Sequence, residues 1–487
     1  MRIPATLAVL LAAGCHHDAG HEIDDMTDAG APGPDAVPGV HQVIVQADGT
    51  FTPEVVTIQD GETVEWLLHD RADTIISTTG GCAAAPFDAS APNQLVGPLP
   101  IAPSGVFALS PLASSTMAST WASPSIAGVF VRLLWSEIQT APGDDDGSYD
   151  FAKLDAQLDA AIANGKLYSI GVKAGDDGTP EWIFSTNPDG SPRAGGGGGV
   201  VRLAFQDGAS QAADCGVRMF LGNPTEPAYQ QRYFAMLRKL AAHIRSRADW
   251  YRAIAYVKPS GANLFSHENR LPKRCDPGCV CNTQVFAEAG YTPSKLVEFY
   301  RAQYDLLEAE FPGKAMSFAL IQDGWPSIND DGDYETSDGS SSGGPLPTSV
   351  HQLQSLLDLG QAEHGSWFVV QHNGLGPHPS PASCSSYDQH PAAPPFSGDG
   401  PCPNRWVLSE GADGQVTGFQ TNNEDKVANP VDLESTLANL YHNSDGIFLE
   451  IYEERLMEAD RVGVLDPTSS GRTLAGWAAE LDARRRA

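Results

Sequence analysis

The chain is 487 residues long, enough for one large core and a small extra domain, since barrels run to about 250 residues or more as single domains. Its 30 Lys+Arg against 61 Asp+Glu give a net charge of −31, which excludes nucleic acid and anionic membrane surfaces as partners held by charge and leaves neutral ligands such as sugars open. The hydrophobic fraction of 41% is that of a globular protein, and 49 Gly with 36 Pro indicate more loop than a minimal barrel needs.

The first segment is an address. Met1-Arg2 supplies a charge, residues 7–11 form a short apolar run, and Ala12-Ala13-Gly14 leads into Cys15. A run of this kind reads as a signal peptide and is too short to span a membrane as a mature helix. Small residues directly before a Cys resemble the lipobox of bacterial lipoproteins. That resemblance implies cleavage after residue 14, lipidation of Cys15 and a place in the bacterial cell envelope, with membrane contact through the lipid anchor only. Ordinary cleavage with free secretion is the alternative. Residues 1–15 are therefore set aside as a lipoprotein-type signal.

Residues 16–39 are acidic, rich in Pro and Gly and without apolar periodicity, which predicts a disordered linker. Over residues 40–80 the period is two: Val43 and Val45, then Val56 and Ile58, then Val64 and Trp66, with turns at Ala47-Asp48-Gly49 and Gln59-Asp60-Gly61. The run FTPEVVTIQDGETVEW resembles the N-terminal strands of cupredoxins. His69 falls too early for that family's copper site, and nothing after Cys82 supplies a Cys-His-Met cluster, so the segment is expected to be all-β and to lack copper. Residues 81–120, rich in Ala, Ser and Pro, are expected to form a linker.

Export places Cys82, Cys215, Cys275, Cys279, Cys281, Cys384 and Cys402 in an oxidising compartment, where disulfides are the default. Their pairing is open, and the odd number leaves one thiol over. Cys275-x3-Cys279-x-Cys281 has the look of a metal knuckle, but no His or fourth Cys follows at zinc spacing. No metal or other cofactor is expected.

From residue 121 to 487 apolar strands alternate with helices. Strands are predicted at 127–135, 167–172, 217–221, 254–257, 316–321, 367–370, 416–420 and 447–451. Helices are predicted at 151–163, 229–244, from Thr292-Pro293 to 307, at 350–357, at 431–441 and from 472 onward. Alternation of this kind, closed by right-handed crossovers, predicts an α/β fold, a (β/α)8 TIM barrel preceded by the small all-β segment.

Active sites of such barrels lie at the C-terminal ends of the strands. Those ends deliver Trp135, then Glu181 and Trp182, then His267, Glu268 and Asn269. Trp325 follows the fifth strand, His372 and Asn373 the sixth, Gln420 the seventh, and Glu450 with Tyr452 the eighth. Aromatic faces stack on a pyranose while amides and carboxylates hold its hydroxyls, which suits a sugar site. The pieces GVFVRLLWSEIQTAPG, GSYDFAKLDAQLDAAIANGK and TPEW, with VKPSGANLFSHENRLP, VVQHNGL, TGFQTNNE and GIFLEIYE, resemble β-galactosidase-like glycoside hydrolases with a (β/α)8 barrel. That resemblance implies hydrolysis of glycosidic bonds by two carboxylates, here Glu268 as general acid/base and Glu450 as its partner. Strand seven offers Gln420, an amide that cannot attack, and strand four ends in Ser260-Gly261. The other reading is therefore a carbohydrate-binding surface protein on a barrel that no longer cleaves.

Overall fold

The structure, a computed structural model, describes residues 40–45, 51–52, 63–68, 103–112, 114–143, 146–175, 178–207, 215–263, 267, 269–320, 324–347, 349–377, 416–422, 427–444 and 446–486. The chain divides into two compact units, Met1–Ala91 and Pro92–Ala487. In the first, β1 (Val40–Val45), β2 (Phe51–Thr52) and β3 (Thr63–Leu68) form one sheet in the order β2-β1-β3, with β1 antiparallel to β2 and parallel to β3. Cys15, the predicted linker 16–39, Val56, Ile58, His69 and Cys82 lie outside the described residues.

The second unit is a closed barrel. Its strands are β4 (Gly105–Leu109), β5 (Gly128–Leu134) and β6 (Leu167–Lys173), followed by an antiparallel hairpin of β7 (Arg202–Asp207) and β8 (Val217–Gly222) that stays outside the barrel. The barrel continues with β9 (Ile254–Val257), β10 (Ala315–Leu320), β11 (Phe368–Leu375), β12 (Thr417–Thr421) and β13 (Phe448–Tyr452), and closes as β13 pairs with β4. Every barrel pairing is parallel. Helices such as Ala152–Ala163, Pro227–Arg245, Pro293–Glu310, Ser349–His364 and Pro430–Asn443 run between the strands, so the fold is the α/β TIM barrel expected from the alternation.

Two sequence expectations are corrected. Gly105–Leu109 falls in the segment read as a linker over residues 81–120, yet it is the first barrel strand. It spans only five residues between Pro103 and Pro111, so composition hid it. Conversely, Val217–Leu221 was expected to be the third barrel strand and instead pairs with Arg202–Asp207. The physical reason is its alternation: Met219 and Leu221 are buried with Leu203 and Phe205 opposite, while Arg202 and Arg218 take the other face. A parallel barrel strand is buried on both faces and reads as a near-continuous apolar run, as GVFVRLL of β5 does. The strands read as first and second are therefore the second and third of the barrel.

Local signals at the helix starts hold up. Thr292 accepts a hydrogen bond from the Lys295 amide at 3.3 Å with Pro293 in the first turn. Asn429 accepts from the amides of Val431 and Asp432, each at 3.0 Å, ahead of Pro430. Disulfides join Cys215 to Cys279 and Cys275 to Cys281, which settles the knuckle spacing as covalent cross-links. Cys384 and Cys402 lie outside the described residues.

Alternation within each strand sorts side chains between the helix layer and the barrel interior. On β4, Val106 and Ala108 pack into the main outer core, while Phe107 joins a small interior cluster with Tyr256, Ala315, Val369 and Phe448. The three rings meet with centroids at 5.4 Å (Phe107–Tyr256), 6.3 Å (Phe107–Phe448) and 5.4 Å (Tyr256–Phe448). Each buried ring contributes about 1.5–3 kcal/mol of transfer free energy. Gly418 leaves the space for one of them, since a Cβ there would come within 2.0 Å of the Phe448 ring. This plug closes the base of the barrel and leaves only its other end for a ligand.

Candidate functional site

Above the aromatic plug the interior turns polar. Glu450, on β13, is 0% exposed. Its carboxylate accepts hydrogen bonds from the Tyr256 hydroxyl at 2.5 Å, the Lys258 ammonium at 2.7 Å and the Gln371 amide at 2.8 Å. Gln371 is held in turn by Ser317, whose hydroxyl donates to its Oε1 at 2.8 Å. Burial, and then the neighbouring Glu450 charge, push the Tyr256 hydroxyl well above its ordinary range, so it stays a donor. Taking both ions of the Lys258–Glu450 pair out of water costs several kcal/mol per ion, and only a full set of partners of this kind offsets it. Lys258 Nζ also sits 4.1 Å from the centre of the Phe130 ring, a cation–π contact. Gly171 permits that approach, because a Cβ there would lie 3.2 Å from the Phe130 ring and 3.3 Å from the Lys258 Cβ.

The cavity at the mouth is small, about 20 Å³ of space for the centre of a water-sized sphere, and is lined by Leu109, Phe130, Arg132, Lys258, His267, Asn373, Gln420 and Tyr452. A space of that size holds about one water molecule. Its wall combines an aromatic face, two amides, a phenol, an imidazole and two cations. Glu450 lies beneath the cavity and not in its wall. Arg132 is braced by Ser110, with Nε donating to the Ser110 carbonyl at 2.5 Å.

His267 is buried and reaches back to β5, Nε2 donating to the Leu133 carbonyl at 2.8 Å. That bond fixes the neutral tautomer and leaves Nδ1 as an acceptor, which is buried without a hydrogen-bond partner. Burial, then the positive charges of Arg132, Lys173 and Lys258, hold its pKa well below the ordinary histidine value. The loop that presents it is fixed at its root. Ser260 Oγ donates to the Val172 carbonyl at 2.6 Å and the Gln303 amide donates to the Ser260 carbonyl at 2.6 Å. Gly261 has φ +100°, and a Cβ there would meet the Tyr233 ring at 2.6 Å, so the turn requires glycine.

Of the residues expected at the site, the structure brings His267, Asn373, Gln420 and Tyr452 together in the cavity wall, with Glu450 directly below. The others stand elsewhere. Trp135 is buried against Tyr229 and Tyr233, ring centroids at 5.9 and 5.3 Å, and its indole donates to Gln139 at 2.7 Å. Glu181, its side chain 59% exposed, pairs with Arg193 at 2.8 Å and with Arg202, whose hydrogen bond is the main cause of its lowered pKa. Trp182 donates to the Gln139 carbonyl at 3.5 Å. Asn269 is buried, donating to the Pro259 carbonyl at 3.0 Å, and Trp325 packs edge-on to Tyr300. His372 points to the outer side against Phe419, with burial lowering its pKa to about 4. Glu268 lies outside the described residues.

Sequence reasoning passed over Lys258, Tyr256 and Gln371 as a set. The available signal was the Lys that closes the buried strand run IAYVK, together with Glu450 inside an apolar strand. A buried carboxylate requires a cation, and Lys258, directly after β9, and Glu450, on β13, both face inward.

No protein-family model matches the chain, and no curated protein matches it. Among solved structures it is similar to the catalytic domain of a β-amylase from Paenibacillus polymyxa, at 10% identity and a TM-score of 0.43, over 78% of this chain and 98% of that one. It is also similar to a β-galactosidase from the psychrophilic Marinomonas ef1 (12% identity, TM-score 0.37, 78% of this chain and 59% of that one). A third likeness is to the exo-β-1,4-mannosidase Op5Man5 from Opitutaceae bacterium strain TAV5 (14% identity, TM-score 0.37, 79% and 59%). No substrate and no residue role is carried over from likenesses this distant.

Proposed function

We propose that the mouth of the barrel binds a neutral saccharide, and that binding rather than cleavage is the task of its described wall. The observation that carries this reading is the division of labour around Glu450. The carboxylate is fully buried with both oxygens engaged by Tyr256, Lys258 and Gln371. The wall above it offers amide, phenol and aromatic groups suited to hydroxyls and a sugar face. A carboxylate that attacks or protonates must reach the glycosidic bond within hydrogen-bond range, which a group sealed beneath the floor does not do. In this reading Glu450 holds Lys258 in place, and Lys258 together with Arg132 presents donors to the ligand's oxygens.

The second reading is hydrolysis of glycosidic bonds, with Glu268 as general acid/base and Glu450 as the second carboxylate. The placement of Glu450 directly below the cavity favours it. Glycan-array binding of the full chain, followed by titration with the best oligosaccharide and an assay for released reducing ends, separates the two. We expect binding that Gln420→Ala and Asn373→Ala each weaken, without release of reducing sugar. Turnover abolished by both Glu268→Gln and Glu450→Gln would establish hydrolysis instead, and failure to bind any glycan would overturn both readings.

We also propose that the protein is exported and lipidated at Cys15. The two disulfides suit an oxidising compartment, and no described helix is long and apolar enough to cross a membrane. Mass spectrometry of the mature N-terminus tests this, with an acylated Cys15 expected and an unmodified one contradicting it.

A further inference from the structure

The outer wall of the barrel carries a second cluster, on two adjacent helices. Asp305 belongs to the helix Pro293–Glu310 that leads into β10, and Glu363 and His364 close the helix Ser349–His364 that precedes β11. Both helices end where the barrel strands begin, at the foot and opposite the mouth. His364 is only 5% exposed, although the Asp305 and Glu363 side chains beside it are 66% and 39% exposed. One donor atom from each of Asp305, Glu363 and His364 lies within 4.8 Å of the other two.

The orientation of the imidazole is what distinguishes this cluster from ordinary surface charge. Nδ1 of His364 lies 2.5 Å from a carboxylate oxygen of Glu308, so it carries the proton and donates. That leaves the lone pair on Nε2. Nε2 is buried and has no hydrogen-bond partner. It faces Asp305 Oδ1 at 3.8 Å, too long for a hydrogen bond. A histidine whose far nitrogen is fixed by a carboxylate while its near nitrogen aims a lone pair at two further carboxylates is the arrangement in which imidazole binds metal.

The geometry points to a divalent transition-metal site, best suited to Zn²⁺, formed by His364 Nε2, Asp305 and Glu363, with Glu308 setting the tautomer. Zinc takes histidine nitrogen and carboxylate oxygen at about 2.0–2.2 Å in a tetrahedron, which sets donor atoms about 3.3–3.6 Å apart. The 3.8 Å separation of Nε2 and Asp305 Oδ1 closes to that by a shift of the exposed Asp305 side chain. Arg301 Nε lies 3.1 Å from both Glu363 oxygens, so the metal would share one of these oxygens with Arg301. Water takes the fourth position. The charge also fits, since two carboxylates and the negative end of the helix that His364 closes all favour a cation. His364 packs edge-on to Tyr304 at 5.7 Å, and Tyr304 to Phe368 at 5.2 Å, so the ion would clamp two helices at the foot of the barrel, away from the saccharide site.

The test is calorimetric titration of chelator-treated full-length protein with Zn²⁺, and the visible spectrum on adding Co²⁺, for the wild type, Asp305→Asn and His364→Gln. His16, His17 and His21 near the N-terminus also have metal-binding side chains, so the difference between variants is read, not total uptake. Asp305→Asn, at an exposed position, is expected to weaken the site about tenfold or more with unchanged circular dichroism. It is also expected to remove most of the rise in thermal midpoint that Zn²⁺ gives the wild type and to abolish an intense tetrahedral cobalt band. His364→Gln is expected to remove the site altogether. Equal Zn²⁺ affinity and stoichiometry in the wild type and Asp305→Asn would overturn the assignment, as would a wild type without Zn²⁺-dependent stabilisation.

Discussion

The two halves of the barrel interior are built from the same strands and do opposite things. At the base Phe107, Tyr256, Val369 and Phe448 fill the space with rings and methyl groups. One strand pleat higher, the same β9, β11 and β13 place Lys258, Gln371 and Glu450, and above these Asn373, Gln420 and Tyr452 face a cavity. A closed parallel barrel brings inward side chains together in layers, so a change of two residues along a strand moves a side chain from packed core to ligand-facing wall. Tyr256 joins the halves, its ring in the plug and its hydroxyl on Glu450.

The sharpest way to break this division is to remove one ion of the buried pair. Lys258→Met leaves Glu450 without its cation and is expected to cost about 3–5 kcal/mol in urea unfolding, while the double variant with Glu450→Leu recovers most of that loss. A double variant as unstable as the single one would show that the pair is not the coupling between the layers. Next in size, Phe448→Ala opens the plug and is expected to cost about 3–4 kcal/mol with saccharide affinity retained. Loss of binding in a variant that still folds would show that base and mouth are not separate.

The histidine in the mouth gives a pH dependence that the base lacks. His267 has its folded pKa held below the unfolded value of about 6.5, so below that pH the unfolded chain takes up the proton first. Its contribution to stability is fully present above about pH 6.5 and is lost as the pH falls from there toward the folded value. The expected slope is up to about 1.4 kcal/mol per pH unit from this group. Denaturant unfolding between pH 7.5 and 5 checks it, and His267→Asn should flatten that part of the profile. A profile unchanged by the substitution would contradict the assignment. The smallest effect is expected outside both halves. Glu458→Gln, at a part-exposed i,i+3 ion pair with Arg455, should change stability by no more than about 1 kcal/mol and leave binding unaltered.

Much of this fold could be read from the chain because barrel strands and their helices announce themselves by period and caps. The run from Gly128 to Leu134 and the Thr292-Pro293 start are examples. Gly105–Leu109 could not, being short and set in a Pro/Ser-rich stretch, and the alternating Val217–Gly222 was mistaken for a barrel strand because pairing partners are not written in sequence. The same holds for the site. Position after a strand picked out His267, Asn373, Gln420 and Tyr452. Trp135 and Trp325 shared that position but turn into packing, because a large ring gains more from burial than from lining a small cavity. Lys258 and Glu450, 192 positions apart, meet only through the closure and tilt of the barrel.

The central claim, that saccharide binds at the mouth above a closed base, is tested most directly by hydrogen–deuterium exchange with and without the best-binding oligosaccharide. The account predicts protection confined to the C-terminal ends of β5, β11, β12 and β13, around Arg132, Asn373, Gln420 and Tyr452, with no change at Phe107, Val369 or Phe448. Protection at the base, or on the helices alone, would contradict it.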